Sequence, residues 1–224
     1  MASCAFAEAT ADLEFAAGRC VTGGFTYAGQ SCISVQRILV ERPVLAKFTE
    51  LLLAGVAKLK TGDPLDESSD LGPMIRESDA ARATQWVEEA VRGGARLLCG
   101  GQRKGSLMEP TVLTGTRPEM KVNCQEIFAP VVTVEAYETF DDALRQVNNS
   151  PYGLQAGIFT RDVKRLFTAF EELEVGGLIA GDVPTFRIDH MPYGGVKDSG
   201  LGREGLRYAI EEMTEPRLLV MNVR

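Results

Sequence analysis

Cys32 is the residue whose type and surroundings most clearly suggest chemistry, and it lies in the stretch FTYAGQSCISVQR. A cysteine attacks carbonyl carbons as its thiolate, and its pKa in solution is about 8.5, so its surroundings must favour the thiolate. Gly29 and Gln30 precede it, and a glycine there allows a sharp turn and the close approach of a substrate. From these residues alone Cys32 is either a nucleophile or a buried structural thiol.

The remaining cysteines and the histidine suggest neither disulfides nor a metal. The five cysteines are scattered and odd in number, and none forms a C-x-x-C pair; they are Cys4, Cys20, Cys32, Cys99 and Cys124. This usage predicts reduced thiols in the cytoplasm. The single histidine, His190, lies outside any cluster of ligand residues. We therefore expect no metal site.

Bulk composition excludes several classes of partner. The formal net charge is -7 and the chain has no basic stretch, so a nucleic-acid partner is not expected. No apolar run approaches the ~18 residues of a membrane span, so no membrane segment is expected. The first residues, MASCAFAEATADLEF, lack the basic region of a signal peptide. A hydrophobic fraction of 45% over 224 residues is enough for one large domain with its own core.

Helical periodicity alternates with short β-branched runs along the chain. The predicted helices are ADLEFAAGRCVTGGF, PVLAKFTELLLAGVAKLK, ESDAARATQWVEEAVRGG, TFDDALRQVNNS with Thr139 as its N-cap, DVKRLFTAFEEL and GREGLRYAIEEMTE. The predicted strands are RILVE, ARLLCGG, PVVTVEAY, LQAGIFT, GGLIAG and PRLLVMNV. The alternation predicts an α/β fold whose mostly parallel sheet is flanked by helices. No helix follows the last strand, so we expect it to pair elsewhere, with another subunit.

Several stretches, in the same order, closely resemble the aldehyde dehydrogenase superfamily. They are FTYAGQSCISVQR, TGDPLDESSDLGPMI, CQEIFAPVVTV, NNSPYGLQAGIFT and MPYGGVKDSGLGREG, and together they span nearly all of residues 10–224. The last stretch, with DVPTFRIDH before it, resembles the branch of lactaldehyde and phosphonoacetaldehyde dehydrogenases. The resemblance implies that residues 1–215 form the catalytic domain. It also implies that residues 216–224 form an oligomerisation strand of a homo-oligomer.

The resemblance also implies a reaction on a small-molecule aldehyde. Cys32 would attack the aldehyde to give a thiohemiacetal, NAD or NADP would accept a hydride, and the resulting thioester would be hydrolysed. The backbone N–H of Cys32 and a side-chain amide would hold the oxyanion. Glu126 and Phe128 match the family residues at the nicotinamide ribose. Without the resemblance they would be interpreted as a solvated carboxylate and a core aromatic. Ala129 stands where the family has glycine.

Other parts that the resemblance implies are absent before Cys32. Only 31 residues precede it, whereas a dinucleotide-binding fold needs several βαβ units of about 30 residues or more each. The family's Glu-Leu-Gly-Gly segment, which carries the general base, does not occur. The upstream carboxylates Glu8, Asp12 and Glu14 lie in other contexts. We therefore expect a catalytic half that lacks its N-terminal cofactor domain, binds NAD(P) weakly and oxidises aldehyde poorly on its own.

Two alternative functions remain open at this point. One is a CoA-acylating aldehyde dehydrogenase, in which CoA replaces water. The other is a non-catalytic remnant that acts as an interaction or oligomerisation module. Arg187 is either a ligand for an acidic substrate group or part of a structural ion pair, and His190 is either at the substrate mouth or solvated.

The stretch GLGREG, residues 200–205, satisfies the letters of the G-x-G-x-x-G dinucleotide fingerprint. It follows a loop and is not followed by a βαβ unit, which the fingerprint requires. We therefore predict that these glycines shape the start of the last helix, with Ser199 as its cap.

Overall fold

The computed structural model describes residues 3–223. Within this range the helices are α1 Leu13–Phe25, α2 Leu45–Val56, α3 Glu77–Arg92, α4 Lys121–Cys124, α5 Phe140–Asn148, α6 Val163–Glu172 and α7 Leu206–Met213, with 3-10 turns at Thr26–Gly29 and Arg42–Val44. The strands are β1 Ser3–Ala7, β2 Val35–Glu41, β3 Arg96–Cys99, β4 Arg103–Lys104, β5 Leu107–Met108, β6 Thr111–Thr114, β7 Val131–Tyr137, β8 Tyr152–Gly153, β9 Gln155–Phe159, β10 Gly177–Ala180 and β11 Val196–Lys197.

A central sheet with strand order β10-β9-β1-β2-β7-β6-β3 organises the fold. Its neighbouring strands are parallel except at one edge, where β3 runs antiparallel to β6. β4 with β5 and β8 with β11 form two short antiparallel pairs. The predicted α/β fold with a mostly parallel sheet is confirmed, and β1 is a strand that the sequence patterns did not single out.

Helices cover both faces of the sheet, as buried parallel strands require. On one face α1, α2 and α3 bury side chains such as Phe25, Phe48 and Val87. On the other face α5 and α6 pack over a smaller cluster that includes Tyr137 and Ile158. Because each fully buried side chain of this size contributes roughly 1.5–3 kcal/mol, the two clusters supply the main stabilisation.

Local signals at the helix ends agree with the structure in most places. Thr139 caps α5, because its hydroxyl accepts a hydrogen bond from the Asp142 N–H at 3.2 Å. Gly93 follows the last residue of α3, as predicted. The prediction that Ser199 caps the last helix is wrong. Gly205 holds the N-cap position of α7 with φ +120°, and Ser199 Oγ instead accepts from the Gly153 N–H at 2.9 Å.

The C-terminal stretch does not form a strand within this chain. Residues 215–223 have no regular secondary structure and pair with no other strand among the described residues. Their apolar side chains are exposed: Leu218, Leu219, Val220, Met221 and Val223. A strand is defined by its partner, so pairing of residues 216–224 with a second copy stays a prediction. Among residues 3–223, no helix is both long enough and apolar enough to cross a membrane.

Candidate active site

The nucleophile loop, which we define as residues 26–34, connects α1 to β2. Tyr27, Ala28 and Gly29 all have left-handed backbone conformations, with φ of 54°, 55° and 67°. This run reverses the chain after α1. A turn follows, in which the Ser34 N–H donates to Ser31 O at 3.0 Å. Cys32 lies in this turn and is half-buried, so the fold does not place it beneath the sheet.

The left-handed run costs conformational free energy at Tyr27, because bulky side chains rarely adopt positive φ. The Tyr27 ring is 80% exposed, so little packing offsets this cost. We expect Tyr27→Asn to be more stable than Tyr27→Ala by about 0.5–1 kcal/mol, since asparagine tolerates this conformation best among non-glycine residues. Urea unfolding of the two variants measures the difference. Equal stabilities would show that the turn stores no strain at this position.

The nucleophile loop lies directly against the segment that follows α4. A Cβ atom built on Gly29 would lie 2.1 Å from Ala129 O and 2.9 Å from Pro130 N. Only glycine allows this approach. The close approach at Gly29 is to the chain's own backbone, and the close approach of a substrate stays a prediction.

Glu126 and Phe128 belong to this second segment, which we call the Glu126 loop and define as residues 125–130. Both side chains are half-buried, and Phe128 has a positive φ of 49°. They line one small cleft together with Ser31 and Ser34 of the nucleophile loop. The structure thus brings the segments of all three predicted site residues to one place. The roles of these residues stay predictions.

A third segment, residues 182–193, reaches the same region. Burial raises the pKa of Tyr193, and the charge that Cys32 carries as a thiolate adds to that rise, which places Tyr193 near Cys32. Arg187 stacks on the Tyr193 ring, 4.4 Å from its centroid, and donates from Nη2 to Glu204 Oε2 at 3.0 Å. Arg187 therefore forms the ion pair that was one of its two interpretations, and His190 is exposed in the same loop.

The five cysteines differ in their expected reactivity. Burial raises the pKa of Cys4 to about 11 and also raises the pKa of Cys20 and Cys99. None of the five forms a disulfide within the part of the chain that the structure describes. Cys32 and Cys124 are half-buried. In the part of the chain that the structure describes, no group of three or more His, Cys, Asp or Glu residues could hold a metal ion.

The G-x-G-x-x-G letters at residues 200–205 do not open a dinucleotide-binding unit. They follow β11, a two-residue strand that is antiparallel to β8, and they lead into α7. Gly200, Gly202 and Gly205 all have positive φ, so they shape the backbone before the helix, as expected from the sequence.

The comparison with family sequence models decides the family. The model described as the aldehyde dehydrogenase family matches residues 3–219. The chain belongs to the aldehyde dehydrogenase family. The resemblance noted in the motifs is therefore confirmed over nearly the whole chain.

Similar curated proteins include several aldehyde dehydrogenases. The 3-sulfolactaldehyde dehydrogenase of Priestia aryabhattai is 50% identical over 213 residues, which are 95% of this chain and 45% of that protein. The lactaldehyde dehydrogenase of Methanococcus aeolicus is 41% identical over 214 residues, or 96% of this chain and 46% of that protein. These names agree with the lactaldehyde-like branch. The chain spans about half the length of these curated relatives.

Solved aldehyde dehydrogenase structures share the fold. Aldehyde dehydrogenase 21 of Physcomitrella patens, solved with the reaction product succinate, superposes with a TM-score of 0.95 at 45% identity, covering 98% of this chain and 46% of that one. The glyceraldehyde-3-phosphate dehydrogenase GapN of Methanocaldococcus jannaschii, solved with NADP, gives 0.92 at 39% identity, covering 95% and 46%.

Proposed function

We propose that this chain carries the catalytic cysteine of an NAD(P)-dependent aldehyde dehydrogenase, which oxidises an aldehyde to a carboxylic acid. The supporting observation is the position of Cys32 in a chain of this family. It lies half-buried in a turn whose neighbours Ser31 and Ser34 share a cleft with Glu126 and Phe128. The relatives named for sulfolactaldehyde and lactaldehyde support a short 2-hydroxy aldehyde as the substrate.

In the proposed reaction the Cys32 thiolate bonds to the aldehyde carbon, and the carbonyl π electrons move to oxygen to give a thiohemiacetal. Loss of the carbon-bound hydrogen with its electron pair leaves a thioester on Cys32. Water then attacks the thioester carbon, releasing the carboxylic acid and restoring the thiol. The covalent intermediate divides one difficult step into two easier ones.

Glu126 and Phe128 fit the ribose end of a nicotinamide cofactor in their chemical character, although the cleft that they line is small. Glu126 offers a carboxylate that can accept hydrogen bonds from ribose hydroxyls, and Phe128 offers an aromatic face. Both line the cleft with Ser31, one residue before Cys32. When bound, NAD or NADP would accept the hydride. The chain spans about half the length of its relatives, so complete oxidation is a proposal for the whole protein.

Alkylation by iodoacetamide, read at each cysteine by peptide mass spectrometry, tests the reactivity of Cys32. We expect Cys32 in the folded chain to react about three- to tenfold faster than in the urea-denatured chain. An activated cysteine has a larger thiolate fraction, and this gain outweighs the lower intrinsic nucleophilicity of its thiolate. Lactaldehyde should protect Cys32 by reversible thiohemiacetal formation. Cys124, also half-buried, is the internal control and should not be protected.

An activated nucleophile would be contradicted if Cys32 in the folded chain is labelled no faster than in the denatured chain and lactaldehyde gives no protection. That result would favour the alternative of an oligomerisation module, which the exposed apolar residues 218–223 support. The product distinguishes the CoA-acylating alternative from hydrolysis. If acylated Cys32 yields acyl-CoA rather than the free acid when CoA is added, the CoA-acylating alternative is supported.

A further inference from the structure

Gln36 connects the strand that follows the nucleophile to the segment that carries Glu126. It lies in β2, four positions after Cys32, and is only 5% exposed. Its Nε2 donates to Val122 O at 2.8 Å and to Gln125 O at 2.7 Å. Its Oε1 accepts from the Ile127 N–H at 3.2 Å. The three bonds reach the backbone on both sides of Glu126.

The segment that Gln36 holds has little structure of its own. α4 has four residues, and a single helical turn is not stable by itself. Phe128, with φ of 49°, adopts a conformation that persists only where its surroundings fix it. A side-chain hydrogen bond from Arg82 Nη2 to Ile127 O at 2.9 Å also supports the stretch between α4 and Phe128. The buried Gln36 amide therefore provides three of the hydrogen bonds that fix the backbone of residues 122–127.

We propose that Gln36 is a positioning residue that sets the place of Glu126 and Phe128 relative to Cys32. The same strand, β2, begins three residues after Cys32 and carries Gln36, so one element fixes both sides of the cleft. The role in catalysis rests on the proposed function. The anchoring of residues 122–127 does not, and it can be measured whether or not Cys32 is an activated nucleophile.

Gln155 provides a matched control. It is also a strand glutamine, in β9, and is 3% exposed. Its Nε2 donates to Pro184 O at 2.6 Å and to Phe186 O at 3.4 Å. Gln155 therefore anchors the segment before Arg187 rather than the Glu126 loop. Removing it should cost a similar amount of general stability without releasing residues 122–127.

The test uses Gln36→Met and Gln155→Met, with two local readouts. These are hydrogen exchange at the Ile127 amide and iodoacetamide labelling of Cys124, which lies between the carbonyls that Gln36 holds. We expect both rates to rise about tenfold in Gln36→Met, because local opening becomes easier when these bonds are lost. In Gln155→Met they should stay within twofold of the unchanged chain.

Gln36→Glu adds a pH profile that a merely space-filling role would not produce. At low pH the neutral carboxylic acid can still donate one hydrogen bond to Val122 O or Gln125 O. At high pH the carboxylate has no donor and repels both carbonyl oxygens. The carboxylate still accepts from the Ile127 N–H, so the profile is read at Cys124, which lies between the two repelled carbonyls. Iodoacetamide labelling of Cys124, divided by its rate in the urea-denatured variant at each pH, should increase with pH in Gln36→Glu and stay flat in Gln36→Met.

Two outcomes would overturn the proposal. One is unchanged Ile127 exchange and Cys124 labelling in both Gln36 variants. The other is an equal rise in Gln155→Met, which would indicate general loosening. If Gln36→Met does not fold, Gln36→Glu at low pH keeps one donor and decides by its pH profile. Slow labelling of Cys32 in the unchanged chain would instead count against the proposed function, so the two failures are distinguishable.

Discussion

Gly29→Ala is expected to lower the free energy of unfolding by about 4 kcal/mol or to prevent folding, because overpacking and backbone strain act together at this position. The new Cβ would lie 2.1 Å from Ala129 O and 2.5 Å from Ala129 C, both backbone atoms that no rotamer change can move aside. Gly29 also has φ +67°, which alanine adopts only at a cost. Relief would require the nucleophile loop and the Glu126 loop to separate.

Gly115→Ala is the matched control for this prediction. Gly115 has nearly the same φ, +68°, and a Cβ built on it meets no atom within 4 Å. Its replacement should therefore cost only the conformational penalty of about 1 kcal/mol. Urea unfolding of both variants gives the difference, which measures the close approach alone. Equal losses in the two variants would contradict the packing of the two loops.

Local sequence signals were sufficient for the architecture. Period-3.6 and β-branched segments gave the alternation that forms a parallel sheet, and Thr139 and Gly93 marked helix ends that the structure confirms. These features depend on neighbours within a few residues, so the pattern contains them. The prediction for Ser199 failed because its hydrogen-bond partner is not local. Its hydroxyl is used by Gly153, which is 46 residues away in sequence.

Residues of the candidate site could be predicted from the sequence only where they lie in a recognisable motif. Cys32, Glu126 and Phe128 stand in stretches that resemble a known family. Gln36 stands in the strand VQRILVE, and no local pattern distinguishes it from a surface glutamine of an edge strand. Its partners are 86 to 91 residues away, and the pairing of β2 with β7 brings them near. Residues whose role is set by such distant contacts require the three-dimensional structure.

Glu8 shows the same limit for a buried charge. From the sequence it is one of three acids upstream of Cys32, without a distinguishing context. In the structure its side chain is fully buried after β1 and forms an ion pair with Arg165 of α6. Its Oε2 has no hydrogen-bond partner among the described residues. Burial raises the pKa of Tyr137, and the negative charge of Glu8 raises it further. The hydrogen bond from Arg165 to Glu8 raises the pKa of Arg165.

Burial makes this ion pair energetically important, whereas exposed pairs contribute little. A buried charge that loses its partner costs about 3–5 kcal/mol, but the Arg165 side chain is 43% exposed, so water would partly replace it. Arg165 also lies over the Phe140 ring at 5.3 Å, and methionine would keep much of that packing. We therefore expect Arg165→Met to lower the free energy of unfolding by about 2–3 kcal/mol.

A double-mutant cycle separates the charge from the packing in this second prediction. Adding Glu8→Gln to Arg165→Met removes the uncompensated carboxylate and should restore more than half of the lost stability. Arg145→Met is the control, because Arg145 pairs with Asp142 at 3.6 Å on the exposed surface of α5 and should cost less than about 0.5 kcal/mol. If the Glu8→Gln change gives no recovery in the Arg165→Met background, the loss comes from packing on Phe140. In that case the buried carboxylate does not depend on Arg165.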